Sequence, residues 1–101
     1  MKTQEQRIEE VCADVESLLK KKNHDYGNSF SLQFEKYGIM SAMIRMDDKM
    51  RRLENLIKGE QARVDESIED TLKDLVGYGT LALVEMTKQK EGLNEQEKNC
   101  S

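Results

Sequence analysis

Apolar residues three and four apart run through most of this sequence, and the stretches they mark are broken at Gly27, Gly38 and Gly59 rather than at proline, which is absent. A period of 3.6 marks the buried stripe of a helix, and nothing in the chain forces that stripe to end except glycine and polar turn residues. β-branched residues are sparse and tryptophan is missing, so strands lack their usual side chains. The reading is all-α: a compact bundle of three long helices plus one short one. It forms a single domain over residues 1–90, with 91–101 as a polar tail.

Ile8, Val11, Cys12, Val15, Leu18 and Leu19 define the first helix, which Thr3 and Gln6 open as a capping box and which ends near Lys22. Cys12 falls inside the apolar stripe and reads as a small buried hydrophobe. The break Asn23–Ser29 precedes a short helix, Phe30 to Lys36. Ile39 to Lys58 follows, stopped by Gly59. Asp65 is placed to cap the last helix, which runs to about Lys88. The remaining QKEGLNEQEKNCS has almost no apolar anchor and is expected to fray.

At 101 residues the core is small, so assembly as a homodimer or homotetramer is expected. The net charge of −4 works against global attraction to nucleic acid, which is not an expected partner, while free nucleotides remain compatible with it. Arg45, Lys49, Arg51 and Arg52 alternate with Asp47 and Asp48, which weakens a DNA-binding reading further. No apolar run reaches the roughly 20 residues of a membrane span, and the N-terminus lacks a signal-peptide core, so a cytoplasmic setting is expected. Two cysteines, Cys12 and Cys100, make no disulfide framework.

Helical phase divides the third helix into faces. Ile39, Ala42, Met43, Met46, Met50, Leu53 and Ile57 form the expected core side, with Asp47, Arg51, Glu54 and Lys58 as solvated pairs. Arg45, Asp48, Lys49 and Arg52 share a third sector with Leu56, which implies a cleft or interface there. On the last helix Ile68, Leu72, Leu75, Gly79, Ala82, Leu83 and Met86 face the core, and Glu69 pairs with Lys73. Glu66, Asp70 and Asp74 make an acidic stripe at intervals of four, running toward Gly77, Tyr78 and Leu81. Stacked like charges cost a helix about 0.2–0.5 kcal/mol per pair, so the stripe calls for a counter-cation.

Magnesium held by one or two carboxylates and by phosphate oxygens meets that need, with Asp48, Glu66, Asp70 and Asp74 as candidate ligands. Ordinary explanations compete with it. Acids belong in the first turns of a helix, which accounts for Glu66 and Asp70, and an ion pair with Arg45 or Arg52 accounts for Asp74. In the NHDYG break, Asp25 is a candidate ligand or turn former, and the lone histidine, His24, reads as an exposed loop residue. Tyr26, Phe30, Phe34 and Tyr37 fall on one face; covering the core is their commoner use, stacking on a nucleobase the alternative.

Together DYGNSF, RMDDKMRRL and DESIEDTLKDLVGYG resemble the phage and bacterial family called nucleotide modification associated domain type 1, itself related to MazG-like all-α nucleoside triphosphate pyrophosphohydrolases. The resemblance covers roughly Lys22 to Met86. It implies a helical, MazG-like bundle that dimerises or assembles further, with a nucleotide site between helices. It also implies hydrolysis of a nucleoside or deoxynucleoside triphosphate to monophosphate and pyrophosphate. Matched positions assign Glu66, Asp70 and Asp74 to catalysis and, with Asp48, to magnesium. They assign Asp25, Tyr26, Arg45, Lys49, Arg52 and Tyr78 to substrate binding. The family's two acidic pairs are incomplete here: no acid stands three residues after Asp48, and Thr71 stands three before Asp74. That departure motivates the alternative, a non-catalytic nucleotide-binding or helical interaction module.

Overall fold

The structure, a computed structural model, describes residues 1–26, 28–59 and 63–99; for Tyr26 and for residues 63–66 and 93–99 it describes the backbone alone. Among the described residues there are four helices and no strand: α1 (Gln4–Tyr26), α2 (Ser29–Tyr37), α3 (Ile39–Ile57) and α4 (Arg63–Asn99). None is long and apolar enough to cross a membrane. The 37 residues of α4 correspond to about 55 Å of helix, most of the 61 Å length of the molecule. α3 packs most extensively along α4, α2 touches both, and α1 rests on α4.

Local chemistry accounts for most of the boundaries. The Thr3 amide donates to Gln6 Oε1 at 2.8 Å and the Gln6 amide to Thr3 Oγ1 at 3.1 Å, so α1 opens with the expected capping box. α1 then runs past Lys22 through Asn23, His24 and Asp25 to Tyr26. His24 is therefore helical rather than looped, in a last turn whose dipole favours a cation, and its side chain is exposed. Asn28 sits in the left-handed region (φ 63°), which asparagine tolerates, and its side chain accepts from Asn23 Nδ2 at 2.8 Å. Gly38 (φ 71°, ψ −156°) joins α2 to α3 in a conformation open essentially to glycine. Its amide donates to Phe34 O at 2.7 Å, and its carbonyl accepts from the Ser41 amide and hydroxyl.

α4 begins at Arg63, so Asp65 lies inside its first turn; the Asp65 side chain is outside the described residues. At the other end α4 continues through the expected tail to Asn99. Glu, Gln and Lys are good helix formers, and this propensity carries the helix where no apolar anchor exists.

The buried apolar core is small: Val15, Phe30, Phe34, Ala42 and Ala82, with Tyr78 and Leu81 packed against it. Phe30 and Phe34 stack at 6.0 Å between centroids. α2 is tied to α4 by Glu85, only 4% exposed, which accepts from Ser31 Oγ and Lys88 Nζ, both at 2.8 Å. Most of the expected core side of α3 lies on the surface instead. Ile39, Met43, Met50 and Ile57 are exposed, as are Leu72, Leu83 and Met86 of α4, while Ala42 and Ala82 are buried. Periodicity identified an apolar face, and the described helices of the chain leave much of it uncovered. Cys12 is likewise exposed, not buried.

The chain is accordingly elongated rather than compact. Its radius of gyration of 17.0 Å compares with about 13 Å for a compact domain of this length. Its accessible surface of 8343 Å² exceeds the roughly 5,900 Å² expected for a compact monomer of 11.7 kDa.

Truncating the best-buried aromatic, Phe34→Ala, should cost about 3–5 kcal/mol in chemical denaturation. Gly38→Ala should cost about 1–3 kcal/mol through backbone strain alone.

Candidate functional site

The C-terminal half of α1 crosses α4 where the latter carries Gly77. A Cβ there would lie 2.9 Å from Leu19 Cδ2, so a side chain at position 77 would make the Leu19 side chain shift. Val15, Leu18 and Leu19 line this crossing, and one turn later on the same face comes Lys22. Opposite, α3 presents Arg45 and Lys49 one turn apart. α4 contributes Lys73, Asp74, Tyr78 and Leu81, and the start of α2 adds Ser29 and Phe30. These residues enclose a cleft of about 360 Å³. Among the described residues its lining holds four cations (Lys22, Arg45, Lys49, Lys73) and one carboxylate, a formal +3 on a chain whose net charge is −4.

Asp74 is the hub. Lys22 Nζ donates to its Oδ1 and Lys49 Nζ lies 3.0 Å from its Oδ2, also at 3.0 Å for the first pair. The ion pair expected of Asp74 is thus real, but its partners are lysines rather than Arg45 or Arg52. Burial works against ionisation of this carboxyl, yet the hydrogen bonds and charges of Lys22 and Lys49 outweigh it and hold the group below its ordinary value. Glu85 follows the same pattern outside the cleft: burial opposes its charge, while Lys88 and Ser31 lower its pKa on balance.

Arg45 has a different fixture. Its guanidinium carbon lies 5.4 Å from the Phe30 ring centroid and 5.7 Å from that of Tyr78. The two rings stack at 6.2 Å and 16°. Nε and Nη2 both donate to Gln33 Oε1, at 2.9 and 2.6 Å. A planar cation held this way presents its remaining N–H groups in a fixed direction, the property that suits arginine to phosphate oxygens.

Of the residues singled out in the sequence, Arg45, Lys49, Asp74 and Tyr78 meet in this cleft. Asp25, Asp48, Arg52 and Asp70 do not line it, and all four are exposed. The side chains of Tyr26 and Glu66 are outside the described residues. Asp70 shares a stripe with Asp74 but lies a turn, about 5.4 Å, away, short of the lining drawn from α1. Asp48 is rotated by about 100° from its neighbour Lys49.

The donor set does not fit the magnesium site expected of it. Magnesium takes oxygen ligands, and the one described carboxylate of the cleft already has a lysine on each oxygen. Among the described residues no group of three or more His, Cys, Asp or Glu is placed to hold a metal.

Lys22, Phe30 and Lys73 belong to the cleft although they were not among the expected site residues. Lys22 had a readable signal: a lysine continuing the stripe Val15–Leu18–Leu19 where another apolar residue would be routine. Lys73 does pair with Glu69, at 3.6 Å, but also borders the cleft.

The family model described as Nucleotide modification associated domain 1 matches residues 22–86, 65 of the 101. The chain belongs to this family. Only Val15, Leu18 and Leu19 among the cleft residues lie outside the matched span, so the family domain contains every charged group of the site. Comparison with curated proteins and with solved structures gives no match.

Because the folded-state pKa of Asp74 is depressed, its ion pairs stabilise the fold above the ordinary carboxylate range, and that contribution disappears as pH falls through the folded value. Asp74→Asn should therefore lower the denaturation midpoint at pH 7, and the gap from the unaltered protein should close on acidification below about pH 4.

Proposed function

We propose that the protein binds a nucleoside or deoxynucleoside triphosphate in the cleft between α1, α3 and α4. The polyphosphate lies against Lys22, Lys49, Lys73 and Arg45, and the nucleoside lies toward Phe30 and Tyr78. The observation that carries this reading is the concentration of positive charge, +3 on an acidic chain, beside a stacked aromatic pair. Charge of one sign in a cleft with apolar walls focuses the field and attracts an anion despite the overall charge. The volume falls in the range of about 300–1,000 Å³ typical of small-molecule sites. Membership in a family named for nucleotide modification agrees with such a ligand.

A second reading is hydrolysis of the bound triphosphate to monophosphate and pyrophosphate, as the resemblance to MazG-like enzymes implies. It is favoured by Asp70 and Asp74 standing one turn apart on α4 within the matched span. It requires carboxylates besides Asp74 at the cleft, from among Asp48, Glu66 and Asp70, if magnesium is to serve it. We also propose that the chain works as a homo-oligomer inside the cell. Exposed Ile39, Met43, Met50 and Ile57 along α3 give it an apolar face of the kind that homodimers cover.

Calorimetry with a panel of ribo- and deoxyribonucleoside triphosphates should show binding that Lys49→Gln and Arg45→Gln each weaken about tenfold or more, equivalent to about 1.4 kcal/mol. No binding by any triphosphate would overturn the first reading. Absence of pyrophosphate release across the panel with magnesium present would remove the second.

A further inference from the structure

Resting on the reading of the cleft as a phosphate site, we propose that Asp74 is its specificity-determining residue. It occupies the Lys22–Lys49 pair as an internal anion, so that a polyphosphate displaces it and a single phosphate does so poorly.

The geometry is that of a bound anion. Two ammonium groups from two helices, α1 and α3, converge on one carboxylate of a third, each on its own oxygen at 3.0 Å. The carboxylate is the most sheltered member, its side chain 21% exposed against 29% for Lys49 and 44% for Lys22. A phosphate oxygen entering the cleft seeks the same N–H donors. If Asp74 keeps them, the newcomer sits beside a like charge in a partly desolvated space, where repulsion is stronger than in water. If Asp74 yields them, its carboxylate is left in the cleft without its partners. Either way the ligand must supply more favourable charge interaction than it removes.

Arg45 and Lys73 decide which ligands can. Both border the cleft, and neither makes an ion pair with Asp74. A single phosphate has oxygens enough to contest the lysine pair and little more. A chain of two or three phosphates contests the pair and also reaches the remaining cations, so its gain grows with length while the cost of displacing Asp74 is met only once. The carboxylate thus sets a threshold of ligand charge, and removing it should favour the shortest ligand most.

A magnesium-ligand role for Asp74 gives no such change in metal-free solution, which makes the test one of sign. Binding of inorganic phosphate and of inorganic tripolyphosphate is measured by calorimetry, with a chelator present, for the unaltered protein and Asp74→Asn. The substitution should tighten phosphate binding about tenfold or more and narrow the preference for tripolyphosphate by a similar factor. Affinities unchanged or weakened in Asp74→Asn, with tripolyphosphate still bound by the unaltered protein, would overturn the proposal and leave the cleft as a phosphate site. No binding of either anion by either protein would overturn both.

Should Asp74→Asn fail to fold, the unaltered protein decides the matter through carbon NMR of the Asp74 carboxyl. Saturating tripolyphosphate should raise its midpoint of titration as the lysines are drawn away. A midpoint left unchanged by bound tripolyphosphate would overturn the proposal.

Discussion

One carboxylate on α4 receives one lysine from α1 and another from α3, and the relation of these three helices at the cleft depends on that shared contact. α1 needs it most. Its first turns are exposed, and farther along Val15, Leu18 and Leu19 line the crossing with α4 at Gly77. Apolar packing fixes how near α1 comes to α4 but not its rotation or register. The Lys22–Asp74 pair supplies direction. With side chains 21–44% exposed, solvent screens these ion pairs, and each contributes on the order of 0.2–1 kcal/mol at most. Their weight lies in positioning three helices around a charged cleft.

The cleft reverses the electrostatics of the chain that carries it. Twenty acidic residues against sixteen basic ones make the protein an anion, but most of those acids lie in exposed helix faces where water screens them. Lys22, Arg45, Lys49 and Lys73 are gathered around one acid, with Phe30, Tyr78 and Leu81 as a low-dielectric wall. Elsewhere the chain leaves an unusual amount of apolar surface in water, chiefly along α3 and on α4. Elongation and exposed apolar stripes have a common origin: 101 residues spent on long helices make much surface and little interior.

Much of this was legible in the sequence. Glycine punctuation and apolar period located all four helices, and Thr3 with Gln6 announced the start of α1. Boundaries moved at two places: α1 absorbed Asn23 to Asp25 against their turn preference, and α4 ran on good helix formers through a tail with no apolar anchor. The third sector of α3 was correctly seen as sheltered through Arg45 and Lys49, yet Asp48 and Arg52 from the same sector are exposed. A sector spans several turns, and the lining of the cleft does not follow it that far. The acidic stripe failed as a unit for the same reason, since only Asp74 of its described members lies where α1 and α3 meet α4. Helical phase tells which residues share a face, but not where along that face another helix crosses. Periodicity marked Lys22 as a lysine on an apolar stripe but could not name its partner, which is 52 residues away.

The most direct measurement is an NMR titration of the protein with a non-hydrolysable nucleoside triphosphate, observing lysine ammonium and tyrosine ring signals. A nucleotide seated in the cleft shifts Lys22, Lys49, Lys73 and Tyr78 together and leaves exposed Lys20 and Lys58 in place. Binding that moves the exposed lysines while those four stay still would contradict the assignment of the cleft as the nucleotide site.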